Sequence, residues 1–517
     1  MAVETFAAID VGSYELAMKI FEISKKGSVK EIDHIRQRVD LGSDTYLTSK
    51  ISYKNMDELC RVLREFTRIM KSYHVEKYRA YGTSAIRETR NTPIVLDQIR
   101  QRSGLTIGVV SNSEQRFLDY KAVALKTKNF EHLIEEGAMI LDIGGGSLQI
   151  SLFEEGKLLT TQNMKLGVLR IAEQLEEMRP KSNQVEELLE EMLWHQLDSF
   201  RLLYLGERKI AHVIVIDDYV SQILQKKFAY YNQDGVSITG KQSIEEFKEF
   251  YAGLRSRTNE EIAGMLGIPE ENAPLLSVAA MIVREVAKMS GAKDIYTPGV
   301  TLCDGIAYEY AQSHRLIPET HDFAKDILSL TENISQRYCG NAYHSAQLET
   351  IALQIFDHMK KMHGMGERER LLLQIAVRLH DIGKYVSLAL LGESSYSIIL
   401  ATEIIGISHE EREIVASVVK YMHLEYEYAH EAQGMRSAQV TSELTIAKLT
   451  AILRLANALD RSHKQKIKTM KVTLKEKKLI LEVEAMQDIM LEKSHVEKCS
   501  AFFGEIYAIQ PVVTIKK

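Results

Sequence analysis

Two short stretches of this 517-residue chain set an aspartate two positions before a glycine, a spacing suited to phosphate chemistry: Asp10 with Gly12 and Ser13, and Asp142 with Gly144, Gly145, Gly146 and Ser147. Each lies between apolar, strand-like runs. An aspartate at a strand end can hold a hydrated Mg²⁺ or place a water. Glycine reaches positive φ and removes the side chain that would keep a ligand away from the backbone. Successive N–H groups in such a turn point into one concavity, which accepts phosphate oxygens. One copy alone reads as readily as a glycine-rich β-turn steadied by its aspartate. The two copies, however, align without a gap at a constant offset of 132 (Asp10 to Asp142), which also pairs Gly12 with Gly144, Leu16 with Leu148, Phe21 with Phe153 and Glu22 with Glu154. Both read strand, turn, strand, with period-two alternation in the second strand. Two related half-domains whose turns face one another predict a phosphate clamp at their junction.

The elements around these turns carry a resemblance. Together with the two turns, "YGTSAIRETRN" (81–91), "VVSNSEQRFLDYKAV" (109–123) and "KLGVLR" (165–170) resemble, in order, the segments of the Ppx/GppA family, the exopolyphosphatases and guanosine pentaphosphate phosphohydrolases. The resemblance covers essentially the whole chain. It implies an α/β protein with two actin-like (ASKHA, ribonuclease H-like) domains at 1–125 and 126–312. By the same resemblance, a terminal phosphoanhydride of polyphosphate or of guanosine penta- or tetraphosphate would be hydrolysed between them with Mg²⁺ or Mn²⁺ on Asp10 and Asp142. It also implies phosphate contacts from Arg87, Gly167 and Arg170, and a homodimer.

The family uses two glutamates that this chain lacks: residue by residue they fall on Gln115 and Gln149. An amide cannot accept a proton at neutral pH and is a poor ligand for a hard cation. General-base assistance is worth roughly 10²–10⁴ in rate, so its loss matters. The carried-over catalytic set is therefore Arg87, Gln115, Asp142 and Gln149. Glu114 replaces Gln115 only with a rearranged backbone, since adjacent helical residues point about 100° apart. Asp217 and Asp218 stand where the family has a glycine-rich turn, and would set negative charge beside an anionic ligand.

After about residue 310 the pattern turns to long amphipathic helices. One of them, 343–364, puts Leu348, Ile351, Ala352, Ile355 and Met359 on a single face. His344, the adjacent His380 and Asp381, and His423 resemble the HD superfamily of metal-dependent phosphohydrolases, which implies a divalent metal there. The family's last aspartate falls on Asn457, with Asp460 one turn beyond. A helical HD-like domain is expected at 313–465. The tail, with a hairpin at "KEKK", a helix and a last strand, reads as a small α/β domain at 466–517.

Composition narrows the partners. A formal charge of -6 gives no reason to expect nucleic acid, and four scattered cysteines suit a reducing compartment. With no signal-like or membrane-length apolar run, a cytoplasmic protein is expected. Two rival readings stay open: a catalytically weak or inactive paralogue that binds a phosphorylated ligand such as (p)ppGpp and acts as a regulator, and an HD-type metal phosphohydrolase.

Overall fold

The structure, a computed structural model, describes residues 3–516 apart from 25–26, 128, 179–183, 218–219, 221–223, 225–229, 232–236, 239 and 429–436. It separates into two compact units, Met1–Asp322 and Phe323–Lys517.

In the first unit, strand β1 (Val3–Val11) has an unbroken apolar run from Phe6 to Ile9 because both of its faces are covered there. Ala7, Ile9 and Val11 enter a core shared with helix α1 (Tyr53–Ser72). Phe6 and Ala8 enter another with Leu118, Leu302, Cys303 and Ile306. β1 pairs antiparallel with β2 (Glu15–Ser24), which pairs with β3 (Ser28–Arg38). Parallel strands β4 (Lys77–Gly82) and β5 (Gly108–Val109) complete the order β3-β2-β1-β4-β5. The second sheet repeats this plan. β6 (Ala138–Ile143), β7 (Leu148–Glu154) and β8 (Lys157–Met164) form the antiparallel meander, β9 (His212–Asp217) lies parallel to β6, and β10 (Gly240–Ser243) and β11 (Asp294–Thr297) close the order β10-β11-β9-β6-β7-β8.

The internal repeat is visible in the registers. Asp10 faces Ala17 and Val11 faces Leu16, while Asp142 faces Gln149 and Ile143 faces Leu148, all at the offset of 132. Even the turn bond recurs: Gly12 N–H donates to the Glu15 carbonyl (3.1 Å) and Gly144 N–H to that of Ser147 (3.0 Å).

The halves also exchange elements. Helix α2 (Asn112–Lys126) ends the first half, α3 (Val168–Met178) follows β8, and α4 (Leu302–Ser313), late in the chain, returns to pack on the first sheet beside α2. A Cβ on Gly305 would lie 2.2 Å from the Leu118 carbonyl oxygen, so glycine there lets α4 and α2 meet backbone to backbone. α4 is pinned further by Asp304, whose carboxylate accepts from the Lys19 ammonium at 2.8 Å with both side chains about 95% buried. Residues 314–322 stay with this unit rather than beginning the next. His321 Nε2 hydrogen-bonds the Tyr120 hydroxyl at 2.6 Å and its ring meets Phe130 edge-on. The expected boundary at 313 therefore lies at the end of α4, short of the division at Asp322.

The second unit begins as packed helices, among them α5 (Ala342–His358), α6 (Glu367–Leu379), α7 (His409–His423) and α8 (Ser437–Leu459). The predicted face of Leu348, Ile351, Ala352, Ile355 and Met359 is buried. A hairpin, β12 (Ile467–Lys475) and β13 (Lys478–Ala485), turns at Glu476 and Lys477; helix α9 (Met490–Tyr507) leads to β14 (Gln510–Ile515), parallel to β13. Among the described residues no helix is long and apolar enough to cross a membrane.

The Lys19–Asp304 pair generates a prediction. Burial alone would raise the Asp304 carboxyl, but the Lys19 and Lys126 ammonium groups hold it below its ordinary range. Its stabilising contribution is complete above the ordinary carboxylate range and is lost as pH falls through the depressed value. Lys19→Ala strands that carboxylate and should cost about 3–5 kcal/mol in urea unfolding at neutral pH, with a smaller penalty in acid.

Candidate active site

The two turns meet. Asp10, Gly12 and Ser13 from the first and Asp142, Gly144 and Gly145 from the second line one cavity of about 120 Å³. Positive φ, expected of the glycines, is not what they supply: none of Gly12, Gly144, Gly145 or Gly146 adopts it. They are there for close approach. A Cβ on Gly146 would sit 2.1 Å from the Tyr46 hydroxyl, and one on Gly145 would sit 2.7 Å from Leu169 and 3.3 Å from the Ser13 Cβ. Tyr46 is the brace between the turns. Its hydroxyl is 2.8 Å from Ser13 Oγ, and burial pushes it up to about 12, so it remains a neutral partner.

Each turn is held from behind by its carbonyls. The Val168 N–H donates to Gly144 O (3.1 Å), and the Leu169 and Arg170 N–H groups donate to Gly145 O (3.0 and 3.2 Å). The first N–H groups of α3, which have no partner within the helix, thus take the turn as their cap. In the first half the Gly42 N–H donates to Ser13 O (2.6 Å) and the Val39 N–H to Tyr14 O (3.1 Å). "DLG" at 40–42 and "KLG" at 165–167 do equivalent jobs after the third strand of each meander, a part of the repeat that the altered strand length hides from a gapless alignment. These bonds commit the turn carbonyls to neighbouring backbone, away from any ligand. Gly12 and Gly144 commit their own N–H groups to the turn bond, so donors to a ligand come from the residues that follow them.

Gly167 and Arg170, expected at the phosphate, are part of this backing. A Cβ on Gly167 would lie 2.2 Å from Gly145 O. The Arg170 guanidinium donates to Gly146 O (3.1 Å) and to Glu88 (3.0 Å), and covers the Tyr46 ring at 4.5 Å. Gly146 and Ser147 likewise sit outside the cavity wall. Arg87, in the short helix Ser84–Glu88, donates to the Val110 carbonyl (2.9 Å) and lies 3.5 Å from Ser84 Oγ; Ser84 and Thr83 line the cavity, while Arg87 stands behind them.

The amides divide. Gln115 is on the cavity wall. Gln149 is buried next to it in the sheet, flanked in register by Asp142 on β6 and Asn163 on β8. The Oε1 atoms of Gln115 and Gln149 are both buried with no hydrogen-bond partner among the described residues. Glu114 is no substitute: its carboxylate accepts from the Ser111 N–H (2.9 Å) in the capping box that starts α2. Asp217 ends β9, and Asp218 lies outside the described residues.

Two contributors escaped the sequence reading. Arg36 reaches the cavity from β3 across the small Ala17, its register neighbour, and pairs with Glu15. Asp119, one turn beyond Gln115, is the other. The signal was available for Asp119, since "S-N-S-E" fixes where the helix begins and Gln115 and Asp119 then share a face. Arg36 needed the strand register. The His34 imidazole on the wall is pushed below its ordinary range by burial and by Lys19, so it adds no charge at neutral pH. With Asp10, Glu15, Asp119 and Asp142 against Arg36, the wall is acidic.

The second cluster is differently arranged. His344 Nδ1 bonds Asp460 (2.8 Å) and its Nε2 is 3.3 Å from Asn457 Oδ1. His423 Nε2 bonds the His380 carbonyl (3.0 Å), and the Lys384 ammonium donates to Asp381. His380 Nε2 and Asp381 Oδ1 are buried without partners among the described residues, but burial is balanced by an internal cation, and no set of three or more His, Cys, Asp or Glu side chains there or elsewhere among those residues is placed to hold a metal. As arranged, these residues do not complete a metal site.

The turn geometry separates two roles for glycine. Gly167→Ala should cost about 1–3 kcal/mol in denaturant unfolding, because backbone must move. Gly144→Ala, whose Cβ would find only the Ser147 carbonyl at 3.5 Å, should leave stability within about 1 kcal/mol and act on ligand binding instead.

The chain is similar to several known proteins. The chain is 20% identical over 506 residues to a guanosine-5′-triphosphate,3′-diphosphate pyrophosphatase of Photobacterium profundum, covering 95% of this chain and 94% of that one. It is 21% identical over 274 residues to exopolyphosphatase 1 of Mycobacterium leprae, covering 53% of this chain and 80% of that one. In fold it is similar to the crystal structure of an exopolyphosphatase from Cytophaga hutchinsonii, with a TM-score of 0.50 at 18% identity over 61% of this chain and all of that one. The Ppx/GppA phosphatase family model matches residues 20–314, beginning just after the first turn, and that of Ppx/GppA phosphatase domain III matches 329–499. This chain belongs to the Ppx/GppA phosphatase family.

Proposed function

We propose that the chain hydrolyses a terminal phosphoanhydride, of polyphosphate or of guanosine pentaphosphate, in the cavity between the two turns. The observation that carries this is the shared wall: Asp10 with Ser13 and Asp142 with Gly145 come from duplicated hairpins and line one space. N–H groups after Gly12 and Gly144 would take the terminal phosphoryl oxygens, where donors set in advance are worth most in the transition state. Ser13, Thr83 and Ser84 add hydroxyl donors, and Arg36 a positive charge.

The acidic wall would repel a bare polyanion. Asp10 and Asp142 fit a Mg²⁺ or Mn²⁺ of the kind held by one or two carboxylates together with substrate phosphates. When bound, such an ion supplies charge neutralisation and orientation at the phosphoryl group. Arg87 supports the site through Ser84. Gln115 orients water through its amide without removing a proton from it.

A second reading, a phosphorylated-ligand sensor with little turnover, is favoured by one feature: the two family glutamates are amides with buried, unpartnered oxygens. Calorimetry with guanosine tetraphosphate alongside turnover assays separates the two, since micromolar binding without phosphate release supports the sensor.

Purified full-length chain with Mg²⁺ or Mn²⁺ should release phosphate from polyphosphate or from guanosine pentaphosphate; release from neither overturns the enzymatic reading. Asp142→Asn should lower kcat by about 100-fold or more. Arg87→Ala, losing contacts behind the wall, should change kcat/KM by no more than about tenfold.

A further inference from the structure

We propose that Asp119 is the carboxylate that takes the proton from the attacking water, filling from one helical turn away the role that Gln115 cannot. The inference rests on the phosphohydrolase reading above.

The start of α2 is fixed by its capping box, with Ser111 as N-cap and Glu114 bound back to it. From that start, Gln115 and Asp119 fall four residues apart on one face, about 6 Å along the axis. Both are on the cavity wall with Asp10 and Asp142. Neighbouring residues of α2 reach other elements. Arg116 donates to Thr161 Oγ1 (2.8 Å), Leu118 lies against Gly305, and Tyr120 bonds His321. Asp119 is 4% exposed. Its place on the wall sets a carboxylate beside the space where a phosphoryl group and water would meet.

In the step itself, the water oxygen forms a bond to the terminal phosphorus and the bond from phosphorus to the bridging oxygen breaks. The bridging oxygen keeps the electron pair and leaves with the shortened chain, while the water proton passes to Asp119 and then to solvent. Nothing is oxidised or reduced. Gln115 accepts or donates a hydrogen bond to the same water and holds it in line.

The test uses full-length wild type, Asp119→Asn, and Asp119→Asn combined with Gln115→Glu, with phosphate release measured from polyphosphate and guanosine pentaphosphate in Mg²⁺ and folding checked by thermal unfolding. The expected result for Asp119→Asn is a kcat lower by about 100-fold or more with KM within a few-fold, and for the double variant a recovery of about tenfold or more over it. A kcat for Asp119→Asn within about threefold of wild type, a loss confined to KM, or a double variant no better than the single one overturns the proposal while leaving the phosphohydrolase reading standing. Should Asp119→Asn not fold, Asp119→Glu and Asp119→Gln, alike in shape and different in charge, decide. A kcat ratio above about tenfold for glutamate supports the proposal, and a smaller one overturns it. Wild type that releases no phosphate from either substrate overturns both readings.

Discussion

The first unit depends on its two glycine turns packing closely about one cavity. Gly145, Gly146 and Gly167 each stand where a single added carbon would meet a neighbour at under 3 Å. In return, the chain can tie the turn carbonyls to the N-terminus of α3 and fill the gap between the turns with Tyr46. Every other feature of the site follows from that contact. The aspartates end strands that lead into the turns, so they arrive on one wall. The turn carbonyls are already occupied, so the turns have only N–H groups left to offer a ligand.

Electrostatics then sets what the wall can accept. Four carboxylates and one arginine, itself paired with Glu15, make a surface that repels a polyanion and attracts cations. A ligand rich in phosphate is compatible with such a wall only together with positive charge, and hard oxygen donors favour a hard divalent ion. Gln115 and Gln149 are neutral where the family resemblance sets glutamates, and Asp119 puts a carboxylate from α2 on the wall. On the proposed reading, the acid–base chemistry of the pocket lies one turn further along that helix.

Much of this was legible in the sequence because it repeats. The offset of 132 carried strand, turn and strand, and the registers of β1–β2 and β6–β7 reproduce it pair by pair. Helical periodicity placed the buried face of α5 correctly. What was not legible depended on lateral neighbours. Arg36 enters beside Ala17 only because β3 pairs with β2 in one register. Tyr46 braces the turns from a segment with no motif of its own. Gly167 and Arg170 pack behind the second turn, and a loop that backs a ligand loop carries the same residue types as one that touches the ligand. The return of α4 to the first sheet likewise shows only in which apolar residues share a core.

The measurement that tests the central claim most directly is a crystal structure of the full chain grown with orthovanadate and Mg²⁺, read for the position of the anion. The account predicts vanadate oxygens within hydrogen-bond distance of backbone N–H groups from both turns, between Asp10 and Asp142. Vanadate bound by one turn alone, or lodged outside the cavity that the two aspartates share, would contradict it.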